Sequence, residues 1–365
     1  MAFHPLDRRP VPPLAGRAAG GPGPASPGIR RPVRVLVTGG TGFLGREVAR
    51  LLLAGGHQVT LLVRPFRAPS DLEAGLVTVS GDVTDPASLA AALGRDGGFQ
   101  AVLHMAALVQ MWMPDRRVFD QVNVQGFLNV LGAARTAGVE RVVYSSSFMA
   151  LGPSRGRPRR EEDPPAGPPF HNDYQRTKYL ADQVARERMA AGWPLVTVYP
   201  GVVYGPGTLT AGGLVTKQIL LFLTKGLPGI LGPGDRPVCY AYIKDVAAGV
   251  VAALERGRIG RGYILGGENA TLNQFMATLS QVSGKPAPTR HIPYAVAWWL
   301  GRLQWAWAEI SGRPPELTHQ VVNIYRESWA YDAARAREEL GYRITPLAQG
   351  LAETVAWLRA AGHVS

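Results

Sequence analysis

Short runs of β-branched and aliphatic residues alternate along the chain with segments whose apolar residues recur at helical spacing. The run over 33–37 predicts a strand buried on both faces, because it is short, rich in valine and almost wholly apolar. Similar runs predict further strands over 57–63, 76–80, 100–104, 139–145 and 195–203. Helical spacing predicts helices that include 88–93, 118–134 and 246–254, the last of them capped by Asp245. This alternation predicts the α/β class, with a doubly wound parallel sheet.

Three glycines, Gly39, Gly42 and Gly45, stand three residues apart between the first strand and the following helix. A pyrophosphate reaches backbone N–H groups at a helix N-terminus only where no Cβ blocks it, and tight turns need φ values that glycine adopts cheaply. Strand, glycine turn and helix in this order predict a Rossmann-type dinucleotide site. Its predicted contacts are Gly39, Gly42, Phe43, Leu44 and Gly45. A strand-to-helix turn without a ligand is the alternative.

The end of the second strand bears on the choice of cofactor. NAD-binding folds place an acidic residue here to bond the ribose 2′-hydroxyl, whereas this chain has Val63 and Arg64, with Arg67 close by. An arginine can pair with a 2′-phosphate, and no carboxylate repels that phosphate. We therefore predict NADP as the cofactor. If Arg64 is only a solvated loop residue, NAD remains open.

Other strand ends supply further candidate contacts to the cofactor. Asp82 and Val83 follow the third strand, where Asp82 can accept a hydrogen bond from the adenine amino group. Ala106 and Ala107 follow the fourth strand, and their small side chains let the cofactor lie against the backbone. His104 stands just before them, and we predict a packing or cofactor-contact role for it rather than catalysis.

A serine triplet, Ser145 to Ser147, ends the fifth strand, and the pair Tyr174 and Lys178 follows on a predicted helix. Four residues apart, the phenol and the ammonium share one helix face. Polar groups at the carboxyl end of a central parallel strand lie where such sheets bind ligands. The tyrosine–lysine spacing is common by chance, but its position after a serine-bearing strand end in a dinucleotide-binding chain makes it a strong signal.

The stretches TGGTGFLG, Gly81-Asp82, HMAA, the triple serine and Tyr174-x-x-x-Lys178 together resemble the extended short-chain dehydrogenase/reductase family, of NAD-dependent epimerase/dehydratase type. The resemblance runs from about residue 33 to near the C-terminus. Within the family, SSFMALG, YPGVVYGPGTLT and GLPGILGPGDR are similar to dihydroflavonol-reductase-like and farnesol-dehydrogenase-like proteins.

The resemblance implies an enzyme and gives each residue a role. Tyr174 would exchange a proton with the substrate oxygen, Ser147 would hydrogen-bond that oxygen with Ser146 as second choice, and Lys178 would bond the nicotinamide ribose. A neighbouring ammonium and the positive nicotinamide ring would lower the pKa of the phenol toward the working range. Pro200 and Val203, in the stretch YPGVVYGPG, are also predicted cofactor contacts.

The strand over 195–203 departs from the sugar-nucleotide members of this family. Those members often carry an arginine and an asparagine where this chain has Tyr199 and Val202. The loss of two phosphate-binding groups predicts a hydrophobic alcohol or ketone as substrate, such as a prenyl alcohol, a flavonoid-like ketone or a steroid-like lipid. A sugar-nucleotide epimerase or dehydratase with tightly bound NAD is the alternative, and a non-catalytic dinucleotide-binding protein is a third hypothesis.

We predict three regions along the 365 residues. Residues 1–32, rich in Pro, Gly, Ala and Arg, are expected to be a disordered tail. Residues 33–203 and 237–268 are predicted to form the cofactor-binding Rossmann domain, and 204–236 with 269–365 a smaller, mostly helical substrate-binding domain. The charged loop over 152–169 is expected to be a solvated rim of the site.

Charge and composition add little to this picture. The net charge of +12 includes five arginines in the first 32 residues, so no specific nucleic-acid partner is predicted. The single cysteine excludes an internal disulfide, and no metal-ligand cluster is evident. No apolar run reaches the roughly 18–20 residues of a membrane span, and a cytoplasmic protein is expected.

A tryptophan-rich patch is the remaining unusual feature, with Trp298, Trp299, Trp305 and Trp307 beside Leu300, Leu303 and Ile310. Three interpretations are open. The patch packs under the pocket, it meets a homodimer partner or a membrane interface, or it forms a wall against a hydrophobic substrate.

Overall fold

A computed structural model describes residues 28–29, 31–65, 71–95, 97–210 and 212–364. The predicted tail therefore lies outside the described residues at 1–27 and Arg30, and so does Arg67. Among the described residues, no helix is long and apolar enough to cross a membrane.

These ranges contain twelve strands and thirteen α-helices. The strands are β1 Arg34–Thr38, β2 Gln58–Val63, β3 Val77–Ser80, β4 Ala101–His104, β5 Arg141–Ser145, β6 Leu195–Pro200, β7 Val202–Tyr204, β8 Ile230–Leu231, β9 Pro237–Tyr242, β10 Gly262–Leu265, β11 Glu268–Thr271 and β12 His291–Ile292. The helices are α1 Phe43–Ala54, α2 Pro86–Leu93, α3 Arg117–Asp120, α4 Gly126–Thr136, α5 Phe148–Leu151, α6 Asp173–Ala190, α7 Leu214–Lys225, α8 Ile243–Arg256, α9 Leu272–Ser283, α10 Tyr294–Ser311, α11 His319–Tyr325, α12 Ala334–Leu340 and α13 Leu347–Ala360.

Seven parallel strands form the central sheet, in the order β10-β6-β5-β4-β1-β2-β3. The chain starts in the middle at β1, builds outward through β2 and β3, and then returns to the other side at β4. This reversal defines the doubly wound Rossmann topology, and it places a crevice at the carboxyl ends of β1 and β4. The predicted fold class is confirmed.

The side chains of β1 point alternately to the two faces of the sheet, and helices cover both faces. Val35 and Val37 pack with the helices α1 and α8, whereas Leu36 packs on the opposite face against α2 and α4. All three side chains are fully buried. A strand buried on both faces needs apolar residues at every position, which is what the sequence supplies.

The strand predicted over 195–203 is broken at Gly201. β6 belongs to the central sheet, whereas β7 pairs with β9 in a second sheet of order β11-β9-β7. A Cβ on residue 201 would lie 2.8 Å from the backbone oxygen of Cys239, so glycine permits the crossing. One continuous segment therefore connects the two sheets.

The charged loop over 152–169 is not simply solvated, and that part of the prediction is wrong. Glu161 is buried and accepts a hydrogen bond from the backbone N–H of Ile264, 2.7 Å away on the edge strand β10. The loop also bridges Ser154 to Ser328 and Arg159 to Tyr331. It thereby covers an edge that would otherwise present unpaired backbone groups.

A further prediction about the helices is wrong, and one of the three interpretations of the tryptophan patch is excluded. Asp245 does not cap its helix, because α8 begins two residues earlier and the carboxylate instead accepts hydrogen bonds from the backbone N–H and hydroxyl of Thr345. The tryptophan patch on α10 is not packed in the core: Trp299 and Trp307 are 63% and 65% exposed, while Trp298 and Trp305 are half-buried.

Candidate active site

Each of the three glycine positions in the first turn favours glycine for a different geometric reason. Gly39 has φ +75°, and a Cβ there would lie 2.6 Å from the backbone nitrogen of Ala106. A Cβ on Gly45 would overlap the backbone oxygen of Gly39, so this glycine lets the helix pack closely on the turn. A Cβ on Gly42 would meet only the Gly39 oxygen, at 3.2 Å, and would otherwise fill open space. That space is where a ligand can approach the backbone.

The helix α1 starts at this turn without a capping side chain. Its N-cap residue is Gly42, and its first turn carries no acidic residue. The first backbone N–H groups of a helix have no partner within the helix, and they attract anions together with the helix dipole. Gly39, Gly42, Phe43, Leu44 and Gly45 thus form a cradle that fits a pyrophosphate.

Residues at the ends of β2 and β3 lie beside this cradle. The Oδ1 atom of Asp82 accepts hydrogen bonds from the backbone N–H and hydroxyl of Thr84, at 2.8 and 2.7 Å. Asn129 on α4 donates to the backbone oxygen of Val83 at 2.9 Å and so fixes this turn. Arg64 follows β2 directly and is exposed to solvent.

The chain leaving β4 is held by Thr38 at the end of β1. The Thr38 hydroxyl accepts a hydrogen bond from the backbone N–H of Ala106 at 3.2 Å and lies 2.8 Å from Nδ1 of His104. His104 is buried and stacks on Phe127 and Tyr144. Burial, with the nearby Lys178 charge, lowers the pKa of His104 to about 3. A neutral, packed imidazole matches the predicted packing role, while Ala106 and Ala107 stay half-exposed along the crevice.

The structure brings together the predicted catalytic group. Ser147 caps α5, its hydroxyl accepting from the backbone N–H of Met149, and this hydroxyl lies close enough to the Tyr174 phenol to favour the ionised form of the phenol. Lys178, one turn further along α6, donates from Nζ to the backbone oxygen of Ser145 at 3.0 Å. Ser146 is buried beside Tyr144 instead. Tyr174, Ser147 and Lys178 thus gather at the carboxyl end of β5.

The electrostatics of this group differ from the expectation for the tyrosine. Burial raises the pKa of Tyr174, and the hydrogen bond from Ser147 offsets this only in part. Burial also lowers the pKa of Lys178 to about 7, against an opposing effect of Asp182. Because the lysine is itself desolvated, the protein alone does not lower the pKa of the phenol, and the expected reduction by the ammonium is absent.

Two residues that the sequence analysis did not single out position this group. Asn123 lies in a π-helical turn, Gln121–Gln125, and joins the backbone of Leu108 to the hydroxyl of Thr177 on α6. The Tyr331 hydroxyl donates to the backbone oxygens of Phe148 and Gly152, at the two ends of α5. π-helical turns inside longer helices often mark functional sites, but the sequence pattern alone does not reveal them.

The structure changes the argument about the strand over 195–203. Tyr199 is buried, and its hydroxyl donates to Asp182 at 2.7 Å, behind the sheet. It therefore does not face a substrate, and only Val202 bears on the substrate class. Pro200 ends β6, and the half-buried Val203 lies on β7 just past the crossing.

Two cavities of about 420 and 500 Å³ are both lined by His171 and Glu327. The larger one also contacts Arg236, Tyr294 and Arg326. Gln175, which follows Tyr174 on α6, lines the smaller one, but Tyr174, Ser147 and Lys178 line neither.

A doubly wound sheet with an uncapped glycine turn at its crevice defines a dinucleotide-binding protein, and the tyrosine, lysine and serine at the same edge add the groups of an oxidoreductase. The chain belongs to the NAD dependent epimerase/dehydratase family, whose sequence model matches residues 35–266. It is an NAD(P)-dependent oxidoreductase of the extended short-chain dehydrogenase/reductase type.

Relatives span nearly the whole chain. A Synechocystis protein provisionally named dihydroflavonol 4-reductase is 35% identical over 90% of this chain and 95% of its own length. Sterol demethylase protein B of Methylococcus capsulatus is 31% identical over 90% of this chain and 99% of its own length. The crystal structure of UDP-glucose 4-epimerase from Thermus thermophilus in complex with NAD superposes with a TM-score of 0.69, at 25% identity over 90% and 99%.

Proposed function

We propose that this protein transfers hydride between a nicotinamide cofactor, preferentially NADP, and a hydrophobic alcohol or ketone. The observation that carries the proposal is the buried Tyr174 phenol beside the Ser147 hydroxyl, with Lys178 one helical turn away. A phenol and a hydroxyl that meet at the mouth of a dinucleotide crevice can bind one substrate oxygen between them.

Each residue has a distinct role in this proposal. Tyr174 donates its proton to the carbonyl oxygen during reduction and takes it back during oxidation. Ser147 hydrogen-bonds the same oxygen and orients it. Lys178 supplies an ammonium beside the phenol and a donor toward the nicotinamide ribose.

The cofactor, when bound, supplies or accepts the hydride at its nicotinamide ring. The residues proposed to hold it are Gly39, Gly42, Phe43, Leu44, Gly45, Arg64, Asp82, Val83, Ala106, Ala107, Tyr174, Lys178, Pro200 and Val203. The exposed Arg64 at the end of β2 supports NADP, because a guanidinium pairs with a 2′-phosphate and the sequence over 64–70 contains no acidic residue.

The substrate class rests on apolar chemistry around the crevice. Val202 replaces a polar group typical of sugar-nucleotide enzymes, and relatives named for a dihydroflavonol and a sterol support a polycyclic, largely apolar substrate. We propose that residues 204–236 and 269–365 form the side that recognises it, with 33–203 and 237–268 holding the cofactor.

A screen of alcohols and ketones with NADP(H) and NAD(H), followed by absorbance of the reduced nicotinamide, tests the function. Net turnover of apolar substrates supports the proposal. An epimerase is the alternative that the NAD-bound Thermus structure favours, and it would carry NAD through purification and show no net cofactor turnover. Absence of both activities, with cofactor binding intact, would indicate a non-catalytic dinucleotide-binding protein.

A further inference from the structure

The helix α10 presents its large apolar side chains to solvent. Six of them line one side over about four turns, and each is at least half exposed: Val296, Trp299, Leu300, Leu303, Trp307 and Ile310. We call this set the α10 stripe. Spacings of three, four and seven residues place all six on one helix face. Monomeric soluble proteins rarely expose contiguous apolar patches above roughly a few hundred Å².

The opposite face of α10 explains why the large residues point outward. The helix packs through its small residues Ala297, Gly301 and Ala308, which are buried. A Cβ on Gly301 would lie 2.5 Å from the backbone nitrogen of His319 at the start of α11. The close approach of the two helices leaves no room for a large side chain on this face. Core packing therefore accounts for the small residues and not for the stripe.

Arginines lie before, within and after the helix that carries the stripe, and the guanidinium of Arg302 lies over the half-buried Trp305 ring, 5.3 Å from its centroid. Exposed arginines lie just before the helix at Arg290, in its middle at Arg302 and just after it at Arg313. Arg302 and Glu309 are the two charged residues within α10 itself. The Glu309 carboxylate accepts a hydrogen bond from the Trp112 indole and pairs with Arg116, and the exposed Glu316 follows the helix.

We propose that the α10 stripe docks on a lipid bilayer whose surface carries anionic headgroups. Tryptophan and aliphatic side chains enter the boundary between headgroups and acyl chains, where an indole can keep its N–H wet. The flanking arginines reach the phosphates on flexible stems. The occupant is a membrane rather than a second copy, because a second copy docking through the same face would set its own exposed arginines at the ends of α10 against these.

The first residue of α10 connects this surface to the larger of the two cavities. Tyr294, the first residue of α10, lines the same cavity as His171, and its hydroxyl donates to the backbone oxygen of Tyr325. A docked α10 would hold that cavity close to the bilayer surface. The docking itself does not rest on the proposed function, since the surface and its charge are independent of the catalytic group.

Flotation of the full-length protein with vesicles tests the proposal without any substrate. The vesicles are phosphatidylcholine alone or phosphatidylcholine with about one third phosphatidylglycerol. We expect binding to the anionic vesicles, with a loss of about tenfold or more in the partition coefficient for Trp299→Gln/Trp307→Gln. Glutamine keeps helix propensity, and Val77→Gln/Leu221→Gln changes two exposed apolar residues elsewhere as a matched control.

A separate double variant tests how much the arginine charges contribute to vesicle binding. Arg302→Gln/Arg313→Gln should weaken binding to anionic vesicles by about fivefold per arginine, with little change on neutral vesicles, and added salt should have the same effect. Light scattering reports the oligomeric state of every variant, and circular dichroism reports its folding. Wild-type protein that stays unbound would overturn the proposal. So would a tryptophan variant that binds vesicles normally but converts a dimer to a monomer.

Discussion

Lys178 on α6 donates from its Nζ atom to the backbone oxygen of Ser145, 3.0 Å away at the end of β5. This contact ties the helix that carries the phenol to the strand that leads into Ser147. The ammonium is buried beside the Tyr144 ring, with Nζ 5.2 Å from the ring centroid. The hydrogen bond therefore fixes the relative position of the groups proposed to act on the substrate oxygen.

Replacing the phenol tests the proposed acid and base. Tyr174→Phe removes one hydroxyl from a buried ring, so we expect turnover to fall by about 10²-fold or more with cofactor affinity nearly unchanged. Steady-state kinetics and a fluorescence titration with the reduced cofactor measure the two effects. Tyr179→Phe, on the same helix with its ring packed on Phe170, is the control. Unchanged turnover in Tyr174→Phe would remove this residue from its role.

Alanine substitutions at two positions of the glycine turn are expected to have different effects, one on cofactor binding and the other on folding. Gly42→Ala should fold normally, because its Cβ meets only the Gly39 oxygen at 3.2 Å, yet it should lose about tenfold or more in dinucleotide affinity. Gly45→Ala should unfold more easily, because its Cβ would overlap the turn. Thermal melting and cofactor titration separate the two variants. Full affinity in Gly42→Ala would place the pyrophosphate elsewhere.

The proposed preference for NADP rests on Arg64, which is exposed at the end of β2. Arg64→Asp should shift the ratio of kcat/KM from NADP toward NAD by about tenfold or more, because a carboxylate repels the 2′-phosphate and bonds the 2′-hydroxyl. Arg95→Asp makes the same charge change after α2, on the way into the amino end of β4, and should leave the ratio unchanged. An equal ratio in both variants contradicts the assignment.

The buried ammonium is predicted to destabilise the fold that it serves. Burial lowers the pKa of Lys178 to about 7, so the unfolded chain binds a proton more tightly than the folded one. Its unfavourable effect is absent above the usual lysine pKa and grows as pH falls toward 7. Lys178→Met should therefore gain about 1–3 kcal/mol at pH 7 while losing turnover.

Urea unfolding of both proteins at pH 7 and at pH 10 measures this effect. The gain should shrink at pH 10, where the lysine of the unfolded chain is already losing its proton. A gain of equal size at both pH values would mean that packing, and not charge, is responsible.

Glu161 is expected to make the fold less stable as pH rises, whereas Lys178 makes it less stable as pH falls. Burial raises the pKa of this carboxyl, so the stability that it contributes is present at low pH and is lost as pH rises through its folded-state pKa. Glu161→Gln keeps an acceptor for Ile264 and should be as stable as the wild type or more stable near neutral pH, with the advantage disappearing in acid. Glu161→Ala leaves that N–H without its acceptor and should lose about 1–3 kcal/mol. Denaturation at pH 4 and pH 7 compares them.

Local pattern was sufficient for six of the seven strands of the central sheet, whereas the edge strand β10 was not predicted. The strands predicted over 57–63, 76–80 and 100–104 each begin one residue before β2, β3 and β4, because apolar runs between turns depend on near neighbours. The glycine turn and the gathering of Tyr174, Lys178 and Ser147 followed from the same local signals and from the family resemblance.

Features set by distant contacts could not be predicted. Glu161 is buried because Ile264, 103 residues later, needs an acceptor, and Asp245 bonds Thr345 rather than its own helix. The break at Gly201 depends on the approach of Cys239. On α10 the sequence left three interpretations of the tryptophans open, and the choice among them depends on the space beside α11, which admits only the small residues of the opposite face.

The Tyr331 hydroxyl has a consequence for the order in which the protein is made. It supports both ends of α5, whose first residue follows Ser147, yet it is added 183 residues after Phe148 in the chain. During synthesis the sheet strands β1 to β6 emerge first, and the short helix beside Ser147 waits for its last support. A ribosome-bound chain that stops before residue 331 thus carries the side chains proposed to be catalytic without the brace that completes their setting.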